Sequence, residues 1–183
     1  MAENKVQFNL RNVHYAMVTE SGYGTPKKLP GAVNLDLSPA GEQTTFYADG
    51  IAYYVTNANN GYTGSIEMAR FTDEFYKDVY GFTADTNKVL TENSFVETKP
   101  IALLFQIDGD ADESLYCLYN VTMGRPNVAG QTQEASKTVQ TQSADITAAP
   151  LDSGKIFART TAETPKATKD NWFKAVYTGA ESA

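Results

Sequence analysis

Between Ile101 and Ile107 the chain carries apolar side chains on both sides of a strand-length run: Ile101, Leu103, Phe105 and Ile107 share one face, Ala102 and Leu104 the other. A strand that is apolar on both faces has to be covered on both, so it belongs at the centre of a sheet. Asp108-Gly-Asp-Ala-Asp-Glu-Ser follows, and then Leu115 to Thr122, which predicts an antiparallel hairpin around that central strand. Everything else has to pack round it.

Flanking runs supply partners. Val6, Phe8 and Leu10 alternate with polar residues, whereas Val13, Tyr15 and Met17 carry the opposite parity. One core can take both halves only if a bulge or bend lies near Arg11 to Asn12. Thr19 to Pro30, with its glycines, prolines and the Lys27-Lys28 pair, reads as an exposed polar connection. Val33, Leu35 and Leu37 alternate with Asn34, Asp36 and Ser38 in a second strand, closed by Pro39-Ala-Gly. Phe71 to Gly81 predicts one helix: Thr72 as its cap, Asp73 and Glu74 in the first turn, Phe71, Phe75 and Val79 as an apolar stripe, and Gly81 beyond the end. In the turn-rich 82–97 stretch, Val89-Leu90 and Phe95-Val96 are candidate arms of a short hairpin. Val139 to Thr147 has β character with little apolar surface before Ile146, which suits a sheet edge or a wall facing water. Lys155 to Arg159 is a last strand. Trp172, Phe173, Val176 and Tyr177 then share one face at helical spacing, able to seat on this domain or on a neighbour.

The stretch from Thr44 to Met68 is different in kind. Two β-favouring runs, Thr44 to Ala48 and Tyr62 to Met68, flank a middle in which aromatics are interspersed with Gly, Asn and Asp. That middle exceeds the two to five residues of a simple hairpin loop, so it reads as a long functional excursion rather than a tight turn. Phe46, Tyr47, Tyr53, Tyr54 and Tyr62 offer large, stiff apolar area of the kind that docks on another surface.

The chain of 183 residues has the size of one domain. A formal charge of −7 works against wrapping nucleic acid, which needs clustered cations. Met1-Ala-Glu-Asn-Lys lacks the pattern of a secretory leader, and no run is long and apolar enough for a membrane span, so a cytoplasmic site of synthesis is expected. The single cysteine, Cys117, reads as a buried structural thiol, and pairing it with the lone His14 as a nucleophile and base would take a coincidence of folding. Asp108, Asp110 and Asp112 have the spacing that opens a calcium loop, but its sixth and twelfth positions are Glu113 and Tyr119 instead of Gly and Glu. No phosphate loop, nucleophile elbow or metal helix occurs. No enzyme, cofactor or metal is expected.

In order along the chain, Phe46-Tyr-Ala-Asp-Gly, Gly61-Tyr-Thr-Gly-Ser-Ile-Glu-Met, the helix ending in Tyr80-Gly, Lys99-Pro-Ile-Ala-Leu-Leu, Gln106-Ile-Asp-Gly-Asp-Ala-Asp-Glu and Asp145-Ile-Thr-Ala-Ala-Pro resemble the major tail protein family of long, non-contractile-tailed bacteriophages. The likeness runs from about Val6 to Tyr177. It implies a mainly β tail-tube domain, sandwich or barrel-like, with one flanking helix and long loops, an extended loop at about 44–62 and a C-terminal arm at about 160–183. Some relatives add an immunoglobulin-like domain; this chain is too short for one. The resemblance further implies hexameric rings stacked into a hollow virion tail tube, with tail chaperone, tape measure and tail terminator proteins as partners and DNA passing through the lumen unbound. Phe46, Tyr47, Asp49, Tyr53, Tyr54, Asn59 and Tyr62 are the candidate subunit contacts; Asp36, Gln140 and Gln142 are candidate lumen residues. A hexamer would carry about −42, a bias that repels phosphate. The alternative from another class is a carbohydrate-binding or adhesion β-sandwich, because exposed tyrosines also stack on sugars.

Overall fold

A computed structural model describes residues 6–109, 113–132 and 138–179. Strand β1 (Gln7–Thr19) leads into two short pairing segments, β2 (Gly22–Tyr23) and β3 (Lys27–Lys28), and then β4 (Ala32–Ala40). Strands β5 (Gln43–Ala48) and β6 (Ile51–Asn57) follow, then β7 (Gly61–Met68), helix α1 (Asp73–Tyr80) and the small pair β8 (Thr83–Ala84) and β9 (Leu90–Thr91). The chain continues through β10 (Ile101–Gly109), β11 (Ser114–Met123), β12 (Gln142–Ala148), β13 (Phe157–Arg159) and helix α2 (Lys166–Asn171). The protein is therefore mainly β with antiparallel sheets, and a second short helix joins the expected one.

The main sheet runs β2-β1-β10-β11-β12-β7-β4, with β3 on β1 and β13 on β11. β10 is central, and Ile101 through Gln106 are all buried. Its two faces serve two cores. One takes Tyr15, Ile66, Met68, Leu103, Phe105, Leu118 and Ile146 together with the α1 stripe. The other takes Ala16, Ala102, Leu104, Leu115, Cys117 and Tyr119 under Trp172. β1 and β4, at opposite parts of the strand order, approach one another, so the sheet rolls round the larger core toward a barrel.

The change of parity in β1 has its expected cause. The register against β10 shifts between Arg11 and His14, with Asn12 at φ 54°, and already between Phe8 and Leu10, with Asn9 at φ 63°. Asparagine tolerates this left-handed backbone better than most side chains. The earlier shift leaves Val6 and Phe8 exposed, contrary to their reading as a half-buried face.

Helix α1 forms as its caps dictate. The Thr72 hydroxyl accepts from the Phe75 amide at 3.2 Å, and Gly81 takes φ 65° beyond the end. Phe71, Phe75 and Val79 are fully buried, and Phe75 meets the Tyr15 ring edge-on at 4.9 Å. The 19–30 connection is less exposed than its polarity suggests. Lys27 Nζ bridges Glu74 and Asp78 at 2.7 Å each, Tyr15 donates its hydroxyl to Asp78 at 2.8 Å, and Leu29 is buried. This connection thereby ties α1 to the sheet.

Two further expectations are corrected, and one left open is decided. β12 is not an edge: it lies between β11 and β7, and Ala144, Ile146 and Ala148 alternate into the core. Small alanines gave that face little hydrophobic signal. The short hairpin pairs Thr83–Ala84 with Leu90–Thr91, while Phe95 is almost fully exposed. The C-terminal residues dock on their own domain, with Trp172 Nε1 donating to the Tyr116 carbonyl at 3.2 Å and the Tyr119 hydroxyl donating to the Tyr177 carbonyl at 2.7 Å.

Burial pushes the Tyr15 hydroxyl up in pKa, helped by its bond to Asp78, and burial likewise raises Tyr80 and Tyr119. A phenol whose folded value lies above its unfolded one lends stability that is full below the ordinary value of 10.0 and is lost as pH rises through the raised value. Lys27, raised by its bonds to Asp78 and then Glu74, acts in the same direction. Cooperative unfolding is therefore expected above pH 10, with the buried tyrosines' share of the tyrosinate absorbance and loss of circular dichroism rising together. Full ionisation of all tyrosines with the fold intact would contradict this burial.

Candidate subunit-contact surface

The Thr44–Met68 stretch is two structures, not one loop. β7 returns beside β4, and β5 and β6 form a separate two-stranded hairpin between them, an arm belonging to no other sheet. Its turn is the residue pair Asp49-Gly50, at φ 52° and 77°. Positive φ at both positions is the primed turn that matches strand twist, and Asp-Gly is a preferred sequence for it. The excursion is thus a tight hairpin after all, whose second strand occupies what reads as loop. The Ala58 amide donates to the Glu42 carbonyl at 2.9 Å, closing the arm's root. Gly61, at φ 103°, turns the chain back into the sheet, where a Cβ would strike the Ala148 carbonyl.

The register sets Phe46 opposite Tyr54 and Ala48 opposite Ile51, while Tyr47 opposes Ala52 and Thr45 opposes Val55. Because side chains alternate, the first two pairs lie on one face and the second two on the other. Tyr53 is the extra residue at the register shift between Phe46 and Tyr47. Both faces carry rings, and both are in water: Phe46 is 59% exposed, Tyr47 67%, Tyr53 70% and Tyr54 60%. All seven residues of β6 are exposed. A lone two-stranded hairpin is marginal in water, and this one, apolar on both faces, is left uncovered by the described residues.

The other candidate residues separate from this group. Asp49 sits in the turn. Asn59 is exposed at the root, its Oδ1 accepting from the Gly61 amide at 3.3 Å, a turn-shaping role. Tyr62 is half-buried on the main sheet, edge-on to Phe157 at 5.5 Å, so it belongs to the body rather than the arm. Of the lumen candidates, Asp36 is exposed on β4, and Gln140 is exposed ahead of β12, donating to Gln131 at 3.1 Å. Gln142 is half-buried. Its Oε1 accepts from the Phe71 amide at 2.8 Å and its Nε2 donates to the Tyr76 hydroxyl at 3.2 Å, so it spans β12 and the start of α1 instead of facing open solvent.

Cys117 is buried and burial pushes its thiol up to about 12, far from a reactive thiolate. The strand registers put His14 beside Leu104 and Leu104 beside Cys117, so Leu104 stands between the two residues. His14 stacks on Phe173 at 4.7 Å and donates from Nδ1 to the Asn12 carbonyl at 2.8 Å, and burial holds its pKa low. Asp108 faces a cation already in place, with Arg11 Nε 2.9 Å away, and Asn9 donates to it at 2.8 Å. Asp110 and Asp112 lie outside the described residues. Among the described residues no group of His, Cys, Asp and Glu is arranged to hold a metal, and no helix is long and apolar enough to cross a membrane.

Neither the protein-family models nor the curated proteins compared with this chain match it.

Proposed function

We propose that this chain is a structural subunit that assembles with copies of itself, as a major tail protein does, into stacked hexameric rings forming a hollow conduit for phage DNA. The observation that carries the reading is the β5–β6 arm, apolar and exposed on both faces. Burying a large apolar side chain is worth about 1.5–3 kcal/mol, so several rings covered together on a neighbour supply a strong association term. The net charge of −7 suits a conduit that must not hold DNA, and the exposed Gln140 remains a candidate for its lining.

Replacing both Tyr53→Ser and Tyr54→Ser is expected to leave far-UV circular dichroism unchanged and abolish tubes in negative-stain microscopy. Normal tubes from the double variant would remove the arm from the assembly.

A further inference from the structure

The body of the same chain carries a cavity with no apparent role in its own fold. β11 divides its pairing: Tyr116 to Leu118 pair with β13, whereas Val121 to Met123 pair with β12. Where it turns from one partner to the other, the β12-β7-β4 layer parts from β10 and β11, and the gap stays open. It is about 330 Å³ and is lined by Leu35, Leu37, Tyr62, Ile107 and Phe157, with Asp36 beside them. No residue of the arm lines it.

Its size and chemistry suit two aromatic rings. An apolar void of about 150 Å³ accepts one benzene ring, so this one has room for about two. Phe46 and Tyr54 are directly opposed across the arm, which places both exposed side chains on one face as a single apolar knob. The knob stands up to about 20 Å along the strand from Ala40, beyond the root that adjoins Leu37 and Tyr62. An extended arm thus carries its rings away from its own cavity and toward another molecule's. Asp36, exposed beside the cavity, makes no side-chain hydrogen bond or ion pair among the described residues, so its carboxylate is open to accept from a tyrosine hydroxyl.

We propose that this cavity receives the paired Phe46 and Tyr54 rings of a second copy's arm, with the Tyr54 hydroxyl donating to Asp36 of the receiving copy. The proposal rests on the self-assembly reading and adds the receptor that reading leaves unnamed. Asp36 then serves a contact between copies rather than a lumen wall.

Two singly substituted chains test it, Thr56→Cys on the arm and Ser38→Cys one pleat along β4 from Asp36. Both positions are exposed, and both rings and the cavity lining stay intact. Cys117 is buried and stays out of the reaction. The two chains are mixed, examined by negative-stain microscopy and treated with a short bismaleimide, and the joined tryptic peptides are identified by mass spectrometry. Rings or tubes with a 38–56 product at least about ten-fold above the 38–38 and 56–56 products of the same mixture would support the proposal, since docking raises the local concentration by orders of magnitude. Rings or tubes without that product would overturn the cavity assignment and leave self-assembly standing. Monomers without the product would overturn both.

Discussion

Phe75→Ala is expected to destabilise the fold by about 3–5 kcal/mol, the cost of emptying a fully buried aromatic site. Phe75 is where the helix enters the core. It stacks on Phe71 at 5.2 Å, meets Tyr15 at 4.9 Å and Tyr80 at 5.7 Å, and its amide is the one the Thr72 cap satisfies. Three rings would line the void, and none can swing in without leaving its own seat. Domains of this size have about 5–15 kcal/mol in total, so the variant should melt roughly 6–20 °C lower in a calorimetric scan. A shift of a degree or two would mean that the helix lies on the surface rather than in the core. Loss of helix packing would also free Gln142, whose two side-chain bonds both end on the Phe71–Tyr76 segment.

What the residues disclosed in advance follows from how local each signal is. Thr72, Asp73, Glu74 and Gly81 act within one helical turn of themselves, and α1 forms between those caps. The two apolar faces of Ile101 to Ile107 needed no knowledge of the rest of the chain to place β10 at the centre. The parity change near Asn12 was likewise written in alternation alone, although the second shift at Asn9, which strands Phe8 in water, had no sequence signal beyond the asparagine. Long-range events were hidden. Ala144 and Ala148 are buried because β7 and β11 close on both sides of β12, and Lys27 is paired because α1 passes beside it. Neither follows from neighbours in sequence.

The arm shows the opposite failure. Asp49-Gly50 between β-favouring runs is a strong local hairpin signal, but measuring the excursion from Ala48 to Tyr62 treated Ile51 to Asn57 as loop. Those seven residues are strand-forming by composition, with Tyr53, Tyr54, Val55 and Thr56 in succession. Its aromatics were read as a docking surface, and the arm residues among them are the exposed ones; Tyr62, on the body, is the exception. The cavity between the sheet layers, by contrast, has no trace in the sequence. It arises from the way β11 shares itself between β12 and β13, a property of tertiary pairing.

Removing the arm puts the central claim to its most direct test. The Glu42 carbonyl and Ala58 amide are already hydrogen-bonded at 2.9 Å, so residues 43–57 can be excised and the ends joined through a short glycine linker without drawing on the body. Few buried contacts are lost, since the arm is exposed on both faces and the two core clusters contain none of its residues. Sedimentation velocity and negative-stain microscopy of the excised chain beside the native one, over the same range of concentration, give the decisive comparison. Rings or tubes are expected from the native chain and a monodisperse, fully folded monomer from the excised one. Tubes from the excised chain, or a native chain that stays monomeric at every concentration, would contradict the claim.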